Sequence, residues 1–172
     1  MLPTYGFVGV AFTNSGVAKS FQIFNSNTTD PILTASSTSD WSARIGSKVA
    51  ECFAAVPAAP ITANNDWLIS PQITLGTQNN VLKFWAKSCD TVFGNEKFKV
   101  GISTTNTDIS SFTTISPGNF VLNPATALWD EHTYNLDNYQ GQSVYISINC
   151  VSDDQFGFAI YDFSVIKGTL FL

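Results

Sequence analysis

Apolar and polar residues alternate along most of this chain, and the alternation predicts short β-strands. Leu82, Phe84 and Ala86 fall on one face of an extended segment, while Lys83 and Trp85 fall on the other. The same period of two recurs in several later segments. Strands are predicted at residues 5–12, 20–24, 42–49, 67–73, 81–87, 98–102, 133–136, 144–148 and 157–166.

Helical signals are nearly absent. The one Ala-rich stretch, "KVAECFAAVPAAP" (48–60), is interrupted by Pro57 and Pro60 before it completes three turns. Without crossover helices, the strands are expected to pair antiparallel. The sequence therefore predicts an all-β fold, an antiparallel two-sheet β-sandwich of jelly-roll type, with residues 1–172 as a single domain. Residues 82–104 are predicted to form a β-hairpin with its loop at 88–97.

Composition narrows the classes of partner. Charged residues make up 12% of the chain, about half the usual share, whereas Ser, Thr and Asn account for 50 of the 172 residues. The surface is therefore expected to be polar but largely uncharged. A net charge of −5, with the basic residues scattered singly, argues against binding nucleic acid. No apolar run approaches the length of a membrane span, so membrane insertion is not expected.

The residues that could carry catalysis are few. His132 is the single histidine, so no zinc ligand set and no serine triad is evident. The acidic pairs at 130–131 and 153–154 are adjacent in sequence, so their carboxylates point apart along an extended chain and do not oppose one another as glycoside hydrolysis requires. The sequence therefore predicts that the protein is not an enzyme.

Three cysteines allow at most one disulfide within the chain. One interpretation is that Cys52, Cys89 and Cys150 are small buried side chains with free thiols. The main alternative is a Cys89–Cys150 bridge, because both residues end strand-like runs.

Three segments in order resemble a known domain family. They are "NNDWLISPQITL" (64–75), "LKFWAKS" (82–88) followed by "FKVGISTT" (98–105), and "WDEHTYNLDNYQGQSVYISINCVSDDQFGFAIYDFSV" (129–165). Together, over about residues 12–166, they are similar to the cleaved-adhesin, or choice-of-anchor J, domain, a jelly-roll module of secreted Bacteroidetes proteins and gingipain haemagglutinin regions. The resemblance implies a non-catalytic domain that binds proteins, glycans or cell surfaces.

The resemblance also implies a calcium site, which this sequence has altered. The family's ligands correspond here to Thr13, Asn27 and Asp162, of which only Asp162 keeps the carboxylate; Asp30 is a further possible ligand. Hard cations prefer several carboxylate oxygens. We therefore expect a weak or lost calcium site and no other cofactor. In a regular strand Asp162 would share a face with apolar residues, which predicts either a bulge that turns it outward or a bound cation.

The aromatic residues suggest where a ligand binds. Trp67, Trp85 and Trp129 lie in or beside family-matched strands and are expected to be structural. Trp41 and Phe93 are flanked by polar loop residues and are predicted to be exposed ligand contacts.

The leading hypothesis is an extracellular or cell-surface adhesion module that contacts a protein or glycan surface, with multiple copies raising the overall affinity. The alternative is a structural component of a multi-subunit assembly, such as a virion decoration or fibre protein. A chain that starts with Met1 and shows no charged leader favours that alternative.

Overall fold

Two antiparallel β-sheets pack against each other in the computed structural model, which describes residues 9–17, 19–54 and 63–168. With strands numbered in chain order, the first sheet has the spatial order β1 (Gln22–Phe24), β2 (Val49–Phe53), β11 (Gly157–Gly168), β5 (Gln78–Ser88) and β9 (Asp130–Asn135). The second has β3 (Asp66–Ile69), β10 (Ser143–Cys150), β6 (Glu96–Ser103) and β7 (Thr113–Thr114), with β4 (Ile73–Thr74) paired to β10 and β8 (Val121–Asn123) paired to β6.

Helical structure in the described ranges is limited to three single 3₁₀ turns, at Ser26–Thr28, Ile109–Ser111 and Asp137–Tyr139. No helix there could span a membrane. The predicted all-β sandwich is confirmed.

The main core lies between the two sheets and follows the alternation read from the sequence. Leu82 and Phe84 of β5 are fully buried and face Phe98 and Val100 of β6. The rings of Phe84 and Phe98 meet edge to face, with centroids 5.9 Å apart. Ile146 belongs to the same cluster from β10. Each strand contributes every second side chain to this layer, as expected for a sandwich.

The predicted hairpin over residues 82–104 is wrong. β5 pairs with β11 and β9 in the first sheet, whereas β6 pairs with β10, β7 and β8 in the second. The connection between Ser88 and Glu96 therefore crosses from one sheet to the other. Alternation identifies the buried face of a strand but does not identify its neighbour, and two strands that face each other across a core show the same pattern as two that pair.

The strand predicted at 42–49 is also wrong, because the strand β2 begins only at Val49. Residues 44–47 form bends, and Gly46 has a φ of 74°, which is unfavourable for other residues. β2 escaped detection because it is covered on both faces, so its sequence "VAECF" does not alternate. Of the strand predicted at 5–12, residues 5–8 lie outside the described residues.

A second core covers part of the outer face of the first sheet. The covering segment, residues 25–47, passes over β2 and β11 and buries Trp41 to 5% exposure. The Trp41 ring stacks on Phe53 with centroids 5.7 Å apart, and its edge meets Phe156. A Cβ atom on Gly157 would come within 2.2 Å of Trp41, so only glycine allows this approach. The expectation that Trp41 is exposed is therefore wrong: its polar neighbours belong to a segment that folds back onto the sheet.

The three cysteines are buried, as one interpretation predicts, and they are unbridged in this structure, which does not contain the Cys89–Cys150 bond of the alternative. The thiol of Cys89 lies 3.5 Å from Oε1 of Glu51 in the second core. Cys150 instead belongs to the main core between the sheets. A Cys89–Cys150 bond would need to cross from one core to the other.

We predict that Trp41→Ala lowers the free energy of unfolding by about 3–5 kcal/mol, because it leaves a large cavity in the second core. Phe93→Ala is the control, since Phe93 is 50% exposed and its truncation removes little buried area. Urea denaturation followed by far-UV circular dichroism measures both variants. Equal stability of Trp41→Ala and the wild type would contradict the placement of Trp41.

Candidate functional site

The covering segment leaves part of the first sheet's outer face accessible, and aromatic side chains collect there. Tyr161 of β11 lies opposite Trp85 of β5, which in turn lies opposite Glu131 of β9. The next row contains Ser164 of β11, Lys83 of β5 and Thr133 of β9. Because paired residues share a face, these side chains form one surface. We call it the aromatic platform, comprising Arg44, Lys83, Trp85, Trp129, Glu131 and Tyr161.

The three rings of the platform are half-buried. Trp129 meets Tyr161 edge to face, with centroids 6.0 Å apart. Trp67 is likewise half-buried, but on the outer face of the second sheet, where it packs against Phe112. Their family-matched strands led us to expect Trp67 and Trp85 in the core, and that expectation is wrong. Trp85 falls on the same face of its strand as Lys83 and Lys87, and a face with two lysines indicates an outward position.

Arg44 forms the rim of the platform. Its guanidinium carbon lies 3.9 Å from the centroid of the Trp85 ring, within the range of a cation–π contact. Nη1 of the same group donates to Oδ2 of Asp162 at 3.2 Å. The Arg44 side chain remains 30% exposed, so the guanidinium presents further N–H donors to the solvent.

Asp162 reaches Arg44 because β11 bulges. Four residues of β11, Tyr161 to Ser164, oppose only three of β5, Lys83 to Trp85, and Asp162 has a φ of 51°. A bulge of this kind redirects side chains. The bulge turns the carboxylate of Asp162 away from the apolar inner face, as one of the two interpretations of this residue predicts. Its side chain is 48% exposed.

A buried lysine connects the platform to the covering segment. The ammonium of Lys87 donates to the carbonyl oxygen of Ser42 at 2.7 Å and lies 3.2 Å from Oδ2 of Asp40. It also lies 4.7 Å from the centroid of the Trp129 ring. Burial tends to raise the pKa of Asp40, but hydrogen bonds from Ser42 and the charge of Lys87 outweigh it and hold the pKa below its usual range. The phenol of Tyr161 fixes the same segment by donating to the carbonyl of Ile45 at 2.7 Å.

Phe93 is exposed, as predicted, but it lies in the connection between β5 and β6 and is not part of the platform. Its ring stacks on Phe156, with centroids 4.7 Å apart. Phe120, which is 41% exposed, lies near the Lys97 ammonium, and Lys97 also pairs with Asp153. We call Phe93, Phe120, Phe156, Lys97 and Asp153 the loop-end cluster.

The residues proposed for calcium do not fit a calcium site. The Asp162 carboxylate is engaged by the Arg44 guanidinium. Asn27 and Asp30 are exposed, and Asp30 uses its backbone to pair with Ala11. Among the described residues no three His, Cys, Asp or Glu side chains form a group that could hold a metal ion. Calcium requires six to eight oxygen ligands.

The carboxylates of Glu96 and Glu51 are both buried. Burial raises the pKa of Glu96 to about 7, although Ser152 donates to one carboxylate oxygen and the backbone N–H of Phe156 donates to the other at 3.0 Å. Burial also raises the pKa of Glu51 well above its usual value, against the opposing effect of the Lys87 ammonium. Both carboxylates are held by partners inside the protein, Glu96 by Ser152 and the Phe156 N–H, and Glu51 by the Cys89 thiol.

His132 is packed into the protein. Its ring lies between Phe84 and Phe98, with centroid distances of 5.3 and 4.9 Å, and Nε2 lies 3.0 Å from Oδ1 of Asn123. Burial lowers the pKa of His132, despite the charge of Asp130. The ring is thus held in place by an amide and two aromatic rings.

A groove of about 500 Å³ between β3 and β11 is lined mainly by apolar side chains, among them Leu68, Ile73, Phe163 and Val165. Ligand sites usually combine an apolar surface with convergent polar groups that fix orientation. The aromatic platform has both, so it is the better candidate.

This geometry defines a β-sandwich with an aromatic, polar-rimmed contact surface on one sheet, and comparison with known proteins gives the family. Residues 29–161 match the Cleaved Adhesin Domain, so the chain belongs to the cleaved-adhesin family. A comparison with curated protein sequences found no match.

Solved structures agree on the fold. The K3 and K1 cleaved adhesin domains of Lys-gingipain from Porphyromonas gingivalis W83 are 17% and 16% identical, with TM-scores of 0.59 and 0.57. The alignments cover 88% of this chain and 92% of K3, and 92% of this chain and 97% of K1. The structure of TmCBM61 in complex with β-1,4-galactotriose is 12% identical, with a TM-score of 0.55, over 87% of this chain and 83% of that one.

We predict that Glu96 makes the protein less stable as the pH rises. Its pKa in the folded state, about 7, exceeds the ordinary value of 4.5, so its contribution is complete below that ordinary value and is lost as the pH rises through 7. Between about pH 5 and about pH 8 the wild type should lose about 2–3 kcal/mol of unfolding free energy relative to Glu96→Gln.

Urea denaturation of both proteins across this range provides the measurement. The depressed pKa of His132 acts in the opposite direction, but it is common to both proteins and cancels in the difference. Parallel pH profiles would contradict the prediction.

We predict that calcium contributes little to stability, since the candidate ligands supply only two carboxylates and that of Asp162 is already paired with Arg44. Addition of a chelator should change the melting temperature by less than about 2 °C. A large decrease that Asp162→Asn abolishes would instead identify Asp162 as a calcium ligand.

Proposed function

We propose that this domain is a non-catalytic binding module that recognises glycans through the aromatic platform. The observation that carries the proposal is the row formed by Tyr161, Trp85 and Glu131 on the uncovered outer face of the first sheet. It combines apolar rings with charged and polar side chains at its edges, the combination that small-ligand sites use to provide both affinity and orientation.

The chemistry of a sugar suits this surface. The C–H face of a pyranose ring is apolar and packs on an aromatic ring, while its hydroxyl groups need donors and acceptors around that ring. Arg44 and Lys83 supply donors and Glu131 supplies acceptors. Lys83 and Glu131 are 3.7 Å apart and each more than a third exposed, so their weak surface ion pair is easily replaced by hydrogen bonds to a ligand.

Family membership supports a binding role, because the matching family is one of adhesin domains. The structurally similar TmCBM61 binds β-1,4-galactotriose, which makes β-linked oligosaccharides a reasonable first class to test here. We infer an extracellular or cell-surface location from the same family. The role as a component of a virion or similar assembly stays a prediction with no supporting observation in the fold.

The absence of catalysis is part of the proposal. His132 is packed between two phenylalanines, and the exposed carboxylates of Glu131 and Asp153 are paired with lysines. Charged residues make up only 12% of the chain, so each site is expected to bind with modest affinity, and useful adhesion then depends on several copies acting together.

A second candidate is a protein contact through the loop-end cluster. Phe93 and Phe120 are 50% and 41% exposed, and the nearby Leu122 is 52% exposed. Exposed aromatic groups beside a charged pair are typical of protein interfaces. This cluster lacks the ring of hydrogen-bonding side chains around its aromatic groups that the platform has, so we rank it second.

We predict that Trp85→Ala lowers the affinity for a bound oligosaccharide at least about tenfold, equivalent to roughly 1.4 kcal/mol. A glycan array identifies the ligand, and isothermal titration calorimetry measures the wild type and the variant. Trp67→Ala is the matched control, because it removes a half-buried tryptophan from the outer face of the other sheet. Its affinity should equal that of the wild type.

The thermal melting curve of each variant distinguishes lost binding from lost folding. If Phe93→Ser abolishes binding and Trp85→Ala does not, the loop-end cluster is the site. Turnover of the bound glycan by the wild-type domain would contradict the non-catalytic proposal.

A further inference from the structure

We propose that Cys52 and Cys150 form a disulfide bond that joins the two sheets when the protein folds in an oxidising environment. The two residues belong to different sheets, Cys52 to β2 and Cys150 to β10, and both lie in the core between them. This pairing is independent of the proposed function, and it differs from the pairing that the sequence alone suggested.

The topology brings the two side chains together. Cys52 lies in register with Phe158 on the inner face of the first sheet. Cys150 lies directly opposite Asp66 in the second sheet. The Cys52 thiol lies 3.7 Å from Oδ2 of Asp66, so it reaches the cross-strand neighbour of Cys150. After burial, the neighbouring Cys150 thiol is the next cause that raises the pKa of the Cys52 thiol, in keeping with the closeness of the two side chains.

The burial and location of the three cysteines favour the Cys52–Cys150 pair over the other two pairings. Both side chains are 1% exposed, so no thiol from another molecule reaches them in the folded protein. The third cysteine, Cys89, lies in the second core against the carboxylate of Glu51. The first sheet separates Cys89 from the other two, because Cys89 packs with the covering segment on its outer face. A single bridge and one free thiol follow from this arrangement.

The bond is expected to form during folding. Burial raises the pKa of the Cys52 thiol well above its usual value, so the reactive thiolate is scarce once the core is closed. In the unfolded or partly folded chain the thiols are accessible to a small disulfide such as oxidised glutathione. One cysteine thiolate attacks this disulfide and releases one glutathione; the second thiolate then displaces the other glutathione. The chain loses two protons and two electrons, and oxidised glutathione is reduced to two thiols.

The bridge would restrain the two sheets at one position. It closes a loop of about 100 residues that begins in β2 and ends in β10, and a loop of this length restricts the unfolded chain strongly. We therefore expect the oxidised protein to melt higher than the reduced protein, by on the order of 10 °C.

The test is oxidative refolding of the full chain in a glutathione redox buffer, followed by alkylation of free thiols under denaturing conditions and peptide mass mapping. The expected product is a monomer that is alkylated at Cys89 alone and yields a Cys52–Cys150 linked peptide. Treatment with a reductant should expose all three thiols and lower the melting temperature.

The variants provide the controls. Cys89→Ser should form the same bridge and keep the melting-temperature difference between oxidised and reduced forms. Cys52→Ser and Cys150→Ser should each remove that difference and leave two alkylated cysteines. Alkylation of all three cysteines in the refolded wild type, a linked peptide that contains Cys89, or a disulfide-linked dimer would overturn the proposal.

Discussion

The burial of one ammonium group determines much of this structure. Lys87 points to the outer face of the first sheet, yet its side chain has no exposure, and a buried charge is tolerated only when it is paired and hydrogen-bonded. Asp40 and the carbonyl of Ser42 supply those partners from the covering segment. These contacts with Lys87 therefore fix the segment against the sheet. In the same segment, Trp41 packs over Gly157 and Arg44 stacks on Trp85.

The covering segment turns a two-layer sandwich into a three-layer structure at one end, and this explains the buried acids. Glu51 lies on the outer face of β2, in the same row as Ala159 and Lys87. Without the segment its carboxylate would be hydrated. Beneath it the carboxylate is fully buried, and the opposite charge of Lys87 offsets only part of the cost of burial. Stability at this end of the molecule is thus coupled to pH through groups that no ligand touches.

The sequence predicted the fold well where strands have one buried face. Leu82, Phe84 and Phe98 alternate and lie in the core as expected. Prediction failed for β2, which is covered on both faces and shows no alternation. It also failed for the partners of β5 and β6, because each of these strands pairs with strands that are remote in sequence. Trp41 was misplaced for a related reason. Its neighbour Asp40 is charged because it pairs with Lys87, and Ser42 donates a hydrogen bond to that carboxylate. Polarity that serves a long-range pair cannot be distinguished locally from solvent exposure.

The candidate site follows from the same constraint. Alternation already placed Trp85 in phase with Lys83 and Lys87, and thus on the outer face, but could not show which part of that face stays open. The covering segment determines which part stays open. It buries Lys87 and places Arg44 and Ile45 beside Trp85 and Tyr161. The platform is therefore bounded on one side by the element that stabilises the sheet. Arg44 belongs to the covering segment and contacts the Trp85 ring of the platform. The shape of the contact surface therefore depends on the buried Lys87–Asp40 pair that holds this segment in place.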